Sequence, residues 1–241
     1  MSFADYVNWV RRAELDRVLP LLKPGDRILE IGAGSGEQAR ILTGLGYEVE
    51  PIDLPQSSYA ADRVFAVTDY DGRHFPFPDA SFDVVFSSNT LEHIRDLEAI
   101  HAEVKRVLKP GGRCIHILPT GSWQFWTIIA AFPRALRELL HARSVRHMAQ
   151  GLRYLAVAIF PPRHGERGTA LLEMWLFRPQ WWRRHFRRNG LDIVSDGAVG
   201  LFYTGVAYYG FRWSRERRER LARSLGSSTH LFELKVVPSG A

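Results

Sequence analysis

One stretch constrains this chain more than any other: Ile28-Leu29-Glu30-Ile31-Gly32-Ala33-Gly34-Ser35-Gly36, an apolar run interrupted by a single acid and stopped by three glycines spaced by two. It reads as strand, tight glycine turn and then helix, the helix carrying Ala39, Ile41 and Leu42. Glycine reaches positive φ at no steric cost and lets a ligand come close to the backbone. The helix start behind it offers unpaired N–H groups and the positive end of the dipole. The first unit of the chain is therefore expected to hold a small polar cofactor.

The pattern around this stretch repeats. Residues 2–19 place Phe3, Tyr6, Val7, Val10, Leu15, Val18 and Leu19 near helical spacing, with Ser2 as N-cap and Pro20 and Lys23-Pro24-Gly25-Asp26 ending the helix. Strands are expected at 27–31, 47–52, 64–67, 82–87 and 113–118. A short irregular helix is expected at 55–61 and a longer one at 96–108, closed by Lys109-Pro110-Gly111-Gly112. Strands alternating with helices at this interval mean βαβ units. The fold class is α/β, a doubly wound, mostly parallel seven-stranded sheet whose strand C-terminal ends share one edge. That edge carries Gly32–Gly36, Asp53, Asp71 and Ser88-Asn89. After Pro119 the regular pattern lapses. Residues 122–141 read as a helix broken by Pro133, residues 151–162 as a second apolar piece, and 163–168 as a polar turn. Helices near 179–189 and 214–225 and strands at 191–194 and 231–237 complete the chain. We expect a single domain over 1–241: a core at 25–120, a helical lid inserted after strand five at 121–180, and the last elements of the sheet at 181–241.

Bulk properties narrow the setting. One cysteine, Cys114, excludes an internal disulfide framework and a cysteine-rich metal site, and no metal is expected. The N-terminus lacks a signal-peptide pattern and no 18-residue apolar run occurs, so a cytoplasmic location is expected, with contact at the inner face of the membrane as its extension. Charge is uneven: residues 1–120 hold 13 Lys and Arg against 18 Asp and Glu, residues 121–241 hold 19 against 8. A basic half suits an anionic acceptor, a nucleic acid or a lipid surface, or is a solvated arginine face.

A dinucleotide fold would require Gly-x-Gly-x-x-Gly, which this turn is not. The combination resembles class I S-adenosylmethionine-dependent methyltransferases, on these residues: Leu29-Glu30-Ile31-Gly32-Ala33-Gly34-Ser35-Gly36, Asp53 after strand two, Asp71 ahead of Pro76-Phe77-Pro78-Asp79-Ala80-Ser81-Phe82-Asp83, Leu91-Glu92-His93-Ile94, and Leu108-Lys109-Pro110-Gly111-Gly112. The resemblance covers about residues 25–120 and implies S-adenosyl-L-methionine as cofactor. It implies that Gly32, Gly34 and Gly36 admit the methionine part, that Glu30 orders the turn from beneath, and that Asp53 accepts the ribose hydroxyls. Asp71 would accept the adenine amino group, with Tyr70 or Phe75 against the ring and Asp69 as its rival, and Ser88 and Asn89 would stand where the methyl emerges. The competing readings are a helix cap for Asp53 and a turn residue for Asp71.

A sulfonium methyl is already activated, so alignment and exclusion of water are the main demands. A hydroxyl acceptor also needs a base, for which His93 is the first candidate and His164 the second; the competing reading has His93 only lining the cofactor floor. The expected acceptor is a small molecule, anionic or lipid-linked, methylated on oxygen, with a sugar or lipid-linked glycan intermediate as the finer expectation. RNA is the alternative. It is disfavoured because strand four ends in Ser87-Ser88-Asn89-Thr90 rather than an Asn/Asp-Pro-Pro-aromatic signature, and Cys114 lies inside a strand.

Overall fold

The computed structural model describes residues 3–141, 144–205 and 213–237; the expected N-cap Ser2 and the basic Arg143 lie outside them. The chain begins with α1 (Phe3–Val18), followed by a single 3-10 turn at Leu19–Leu21. Then come β1 (Arg27–Ile31), α2 (Glu37–Gly44), β2 (Glu48–Asp53), a 3-10 turn at Ala60–Asp62, β3 (Thr68–Asp69) and β4 (Phe82–Ser88). A 3-10 turn at Leu91–His93 leads to α3 (Leu97–Val107) and β5 (Leu108–Pro119). Four helices follow without an intervening strand: α4 (Gly121–Leu140), α5 (Val145–Ile159), α6 (Ala170–Leu176) and α7 (Pro179–Arg188). β6 (Leu191–Ala198), α8 (Arg215–Leu225) and β7 (Thr229–Val236) end the described chain.

The seven strands form one sheet in the order β3-β2-β1-β4-β5-β7-β6, and β3, β2, β1, β4 and β5 run parallel. β1 is central, so Ile28, Leu29 and Ile31 are fully buried, as are Val84, Val85 and Phe86 beside them on β4. A strand covered on both faces cannot alternate polar with apolar residues, which is why these runs are continuous. The order reverses between β1 and β4, the place where open α/β sheets receive ligands.

Four expectations change. The third strand is not Val64–Val67 but the two residues Thr68 and Asp69, paired with Ile52 and Asp53. The apolar run before it is held by the glycine turn instead. Val64 N donates to Ser35 O at 2.8 Å, and Phe65 and Val67 crowd Gly36 so closely that a Cβ there would sit 2.8 Å from Phe65 Cβ. The expected helix at 55–61 is only the turn at Ala60–Asp62. β5 starts earlier than expected, pairing Leu108 with Phe82, then looping Lys109–Gly112 out before Arg113 pairs with Val84. Pro133 does not break α4, which runs through it. A proline inside a helix removes one backbone donor, and this 20-residue helix packs along α5 and α6.

The described chain divides into two compact units. One holds residues 3–118, 183–197 and 231–237; the other holds 119–141, 144–182, 198–205 and 213–230. In the second, α4 is N-capped by Thr120, whose hydroxyl accepts from Trp123 N and donates to Ser227 O at 2.6 Å. Ser122 and Trp126 both donate to Leu225 O at the end of α8. Helix α6, which the sequence reading did not assign, is capped by Thr169; its buried residues are Ala170 and Glu173 rather than an apolar stripe, so no periodic signal announced it.

Candidate active site

The site is built where β1 and β2 end side by side. Gly32, Gly34 and Gly36 have φ of 70°, 58° and 79°. The N–H groups of Gly32 and Ala33 both donate to Ile52 O, at 2.9 and 3.1 Å, which folds the turn back across β2. Gly34 N then donates to Asp53 Oδ2 at 2.9 Å, while Leu54 N donates to Asp53 Oδ1 at 2.7 Å. Asp53 is thus fixed by the turn itself, with lone pairs remaining on both oxygens. Gly32 has a steric reason as well as a torsional one, because a Cβ there would collide with the Thr90 side chain.

Beneath the turn, Glu30 is 2% exposed. Burial pushes its carboxyl up to about 8; an N–H bond from Ala39 opposes this and the Asp53 charge adds to it. Its Oε2 has no hydrogen-bond partner among the described residues. A buried carboxyl oxygen without a donor is costly to keep. The half-satisfied acid, the Cβ-free turn and the anchored Asp53 fit a ligand that brings an amino group and vicinal hydroxyls.

The next strand end supplies an aromatic wall. Tyr70 N donates to Asp53 O at 3.1 Å, and its ring stands edge-on to Phe75 at 5.8 Å. Burial, then the Asp53 and Asp71 carboxylates, push the Tyr70 phenol up to about 12. Asp69 is paired with Arg63 at 2.6 Å. Asp71 accepts from Arg73 N and His74 N, both at 2.7 Å, and faces His74 Nδ1 at 2.9 Å, which holds its carboxyl far below the usual range. It closes a turn, as one of its two sequence readings has it. The loop that follows is structural: Arg106 donates to the carbonyls of Phe75 and Phe77 and pairs with Glu103 and Asp79.

At the end of β4, Asn89 takes φ 52° and its N–H donates to Ile117 O at 2.8 Å. Ser88 Oγ and Asn89 Nδ2 both reach toward Glu14 Oε2, at 3.4 and 3.5 Å, and Arg11 Nη1 pairs with the same oxygen at 2.7 Å. Sequence reading passed over Glu14. The signal was available: Tyr6, Val10 and Val18 form the buried stripe of α1 at intervals of four, and position 14 of that stripe is an acid, fully buried. His93 lies on the 3-10 turn after β4, its side chain 43% exposed, with Nε2 3.8 Å from Glu92 Oε1. His116, on the neighbouring strand, is no base: burial pushes it down to about 3, and it bonds Ser87 and stacks on Phe186. His164 belongs to the second unit, where its ring rests on Trp123 at 4.5 Å.

Comparison with known proteins bears on the fold and on residues 29–116. Residues 29–116 match the family profile described as "Methyltransferase domain". That segment is consistent with a class I S-adenosylmethionine-dependent methyltransferase. It is 39% identical over 107 residues to 27-O-demethylrifamycin SV methyltransferase of Amycolatopsis mediterranei, covering 40% of this chain and 39% of that one. It is 36% identical over 211 residues to 2-methyl-6-phytyl-1,4-hydroquinone methyltransferase of Synechocystis sp., covering 74% and 63%. In both cases the chain spans less than two thirds of its relative. Among solved structures, a SAM dependent methyltransferase from Archaeoglobus fulgidus superposes with a TM-score of 0.58 at 17% identity, covering 95% of this chain and 94% of that one; at that identity the likeness is one of fold.

Proposed function

We propose that this protein transfers a methyl group from S-adenosyl-L-methionine to a small-molecule acceptor. One observation carries the reading: a three-glycine turn clamped onto Asp53, with the half-satisfied carboxyl of Glu30 buried beneath it. When bound, the cofactor supplies an activated sulfonium methyl. Glycines 32, 34 and 36 give backbone access to its amino-acid end, Glu30 orders the turn, and Asp53 accepts two ribose hydroxyls. Asp69 and Asp71 are the two acids for an adenine amino group beside Tyr70, the first paired with Arg63 and the second bonded to Arg73 and His74. Ser88 and Asn89, steadied by Glu14, border the reacting end. His93, half exposed on its turn, takes the proton of a hydroxyl acceptor.

Acceptor selection falls to residues 121–180, because the family match stops at 116 and this stretch has its own composition. Its aromatic and basic character supports O-methylation of a sugar or a lipid-linked glycan intermediate. The two relatives, named for a demethylated rifamycin hydroxyl and a phytyl hydroquinone, support an acceptor with a large apolar part. Titration calorimetry tests the donor site: Asp53→Ala weakens S-adenosylmethionine binding by at least about tenfold, the worth of a lost charge-assisted hydrogen bond. Unchanged affinity removes the ribose assignment. His93→Ala lowers turnover far more than donor affinity; equal losses return His93 to a lining role.

A further inference from the structure

The helical unit presents an apolar face that its own fold leaves open. On α4, Phe125, Ile129, Phe132, Leu136 and Leu140 are all exposed, Leu136 by 57% and Leu140 by 73%. Their spacing of three and four places them in one stripe. On α5, Met148, Leu152 and Ile159 form a second exposed stripe, and Phe160, 80% exposed, ends it. The two helices pack closely: a Cβ on Gly151 would lie 2.7 Å from Leu139 Cδ2, and Arg134 donates to Tyr154 Oη at 2.7 Å with its guanidinium over the ring. The pairs Leu139–Gly151 and Arg134–Tyr154 run in opposite chain directions, so the hairpin is antiparallel. On each helix the exposed stripe lies roughly a third of a turn from the packed face in the same sense, at about 100° per residue. In an antiparallel pair this puts both stripes on one side. A single broad apolar surface results.

We propose that this surface docks the protein on an anionic lipid bilayer. Charge selects the occupant. Residues 121–162 carry five arginines, at 134, 137, 143, 146 and 153, against one acid, Glu138. Arg137, Arg146 and Arg153 are exposed on the same two helices. Aromatic and aliphatic side chains on one face with arginines beside it are the composition of a helix that lies in a membrane interface. A second copy of the chain would bring like charges together across a twofold axis, where no matching row of acids waits. Among the described residues no helix is long and apolar enough to cross a membrane, so the hairpin lies on the bilayer rather than through it. This docking is independent of the methyl-transfer reading.

Vesicle co-flotation tests it. The purified chain is mixed with vesicles of phosphatidylcholine alone and with vesicles of an equal mixture of phosphatidylcholine and phosphatidylglycerol. The expected result is flotation with the anionic vesicles, weakened by salt, and little with the neutral ones. Phe132→Ser with Leu136→Ser, and separately Arg146→Gln with Arg153→Gln, each reduce the bound fraction by about tenfold or more. Both pairs are surface changes, and unchanged circular dichroism and S-adenosylmethionine affinity show that the fold and the donor site are intact. Flotation that ignores both double variants overturns the proposal. So does absence of flotation combined with sedimentation of the wild type as a dimer that Phe132→Ser with Leu136→Ser splits, which would make the stripe a self-contact.

Discussion

The sheet unit and the helical unit each bury a glutamate completely, and the two glutamates are treated in opposite ways. Glu30 keeps one oxygen without a donor. Glu173 has both engaged: His164 N lies 2.9 and 2.8 Å from its two oxygens, Gly165 N donates at 2.6 Å and Gln124 Nε2 at 3.0 Å. The pattern reverses for apolar groups. The sheet unit buries its central strands β1 and β4, while the helical unit leaves rows of Phe and Leu in water. A buried polar group is normally satisfied and a large apolar patch normally covered. Glu30 departs from the first of these rules in the sheet unit, and the exposed rows of α4 and α5 depart from the second in the helical unit. On the proposals above, the first departure serves a small polar ligand and the second a lipid surface.

The largest expected effect that would break this comparison comes from Gly32→Ala. It forces a Cβ at φ 70° against Thr90, costing about 3 kcal/mol or more and lowering donor affinity about a hundredfold. Thermal melts and calorimetry read both, and an unaffected donor affinity would detach the turn from the ligand. Next comes Glu173→Ala, which strands the donors of His164, Gly165 and Gln124. Denaturant unfolding should show a loss of about 3 kcal/mol with donor affinity retained. If donor affinity falls in step, Glu173 is not the purely structural acid the comparison makes it.

Glu30→Gln should do the reverse of Glu173→Ala, stabilising the fold while weakening binding. Folded Glu30 keeps its proton up to about pH 8, whereas the unfolded group loses it near the ordinary value of 4.5. The folded chain therefore binds more protons between those values, and stability falls as the pH climbs through that window. The glutamine variant escapes this fall. It should be more stable than wild type by on the order of a few kcal/mol at pH 8, and by nothing at pH 4.5, in melts run across the range. A constant difference at every pH would mean that burial does not hold the proton on Glu30.

Much of the candidate donor side proposed here was legible because it is local. Glycines 32, 34 and 36 announce a turn by their own torsional freedom, and the continuous apolar runs 28–31 and 82–87 announce central strands. Asp53 follows from its place at the end of β2. Other parts of the site were not legible. Asp71 has two local readings, and only the fold shows its carboxylate committed to Arg73 and His74. Val64–Val67 has the look of a strand, yet a longer-range contact with Ser35 and Gly36 takes it out of the sheet.

The sequence by itself determined the alternation of strand and helix, the glycine turn, the acid beneath it and the uneven charge of the two halves, since each depends on residues within a few positions of one another. Only the tertiary structure decided that Glu14 meets Ser88 and Asn89, over 70 residues away in the chain. It also decided which apolar stripes are covered. Periodicity states that Phe125, Ile129, Phe132, Leu136 and Leu140 share a helix face, but whether a face meets protein or water depends on which other elements arrive there, and that is a property of the whole fold.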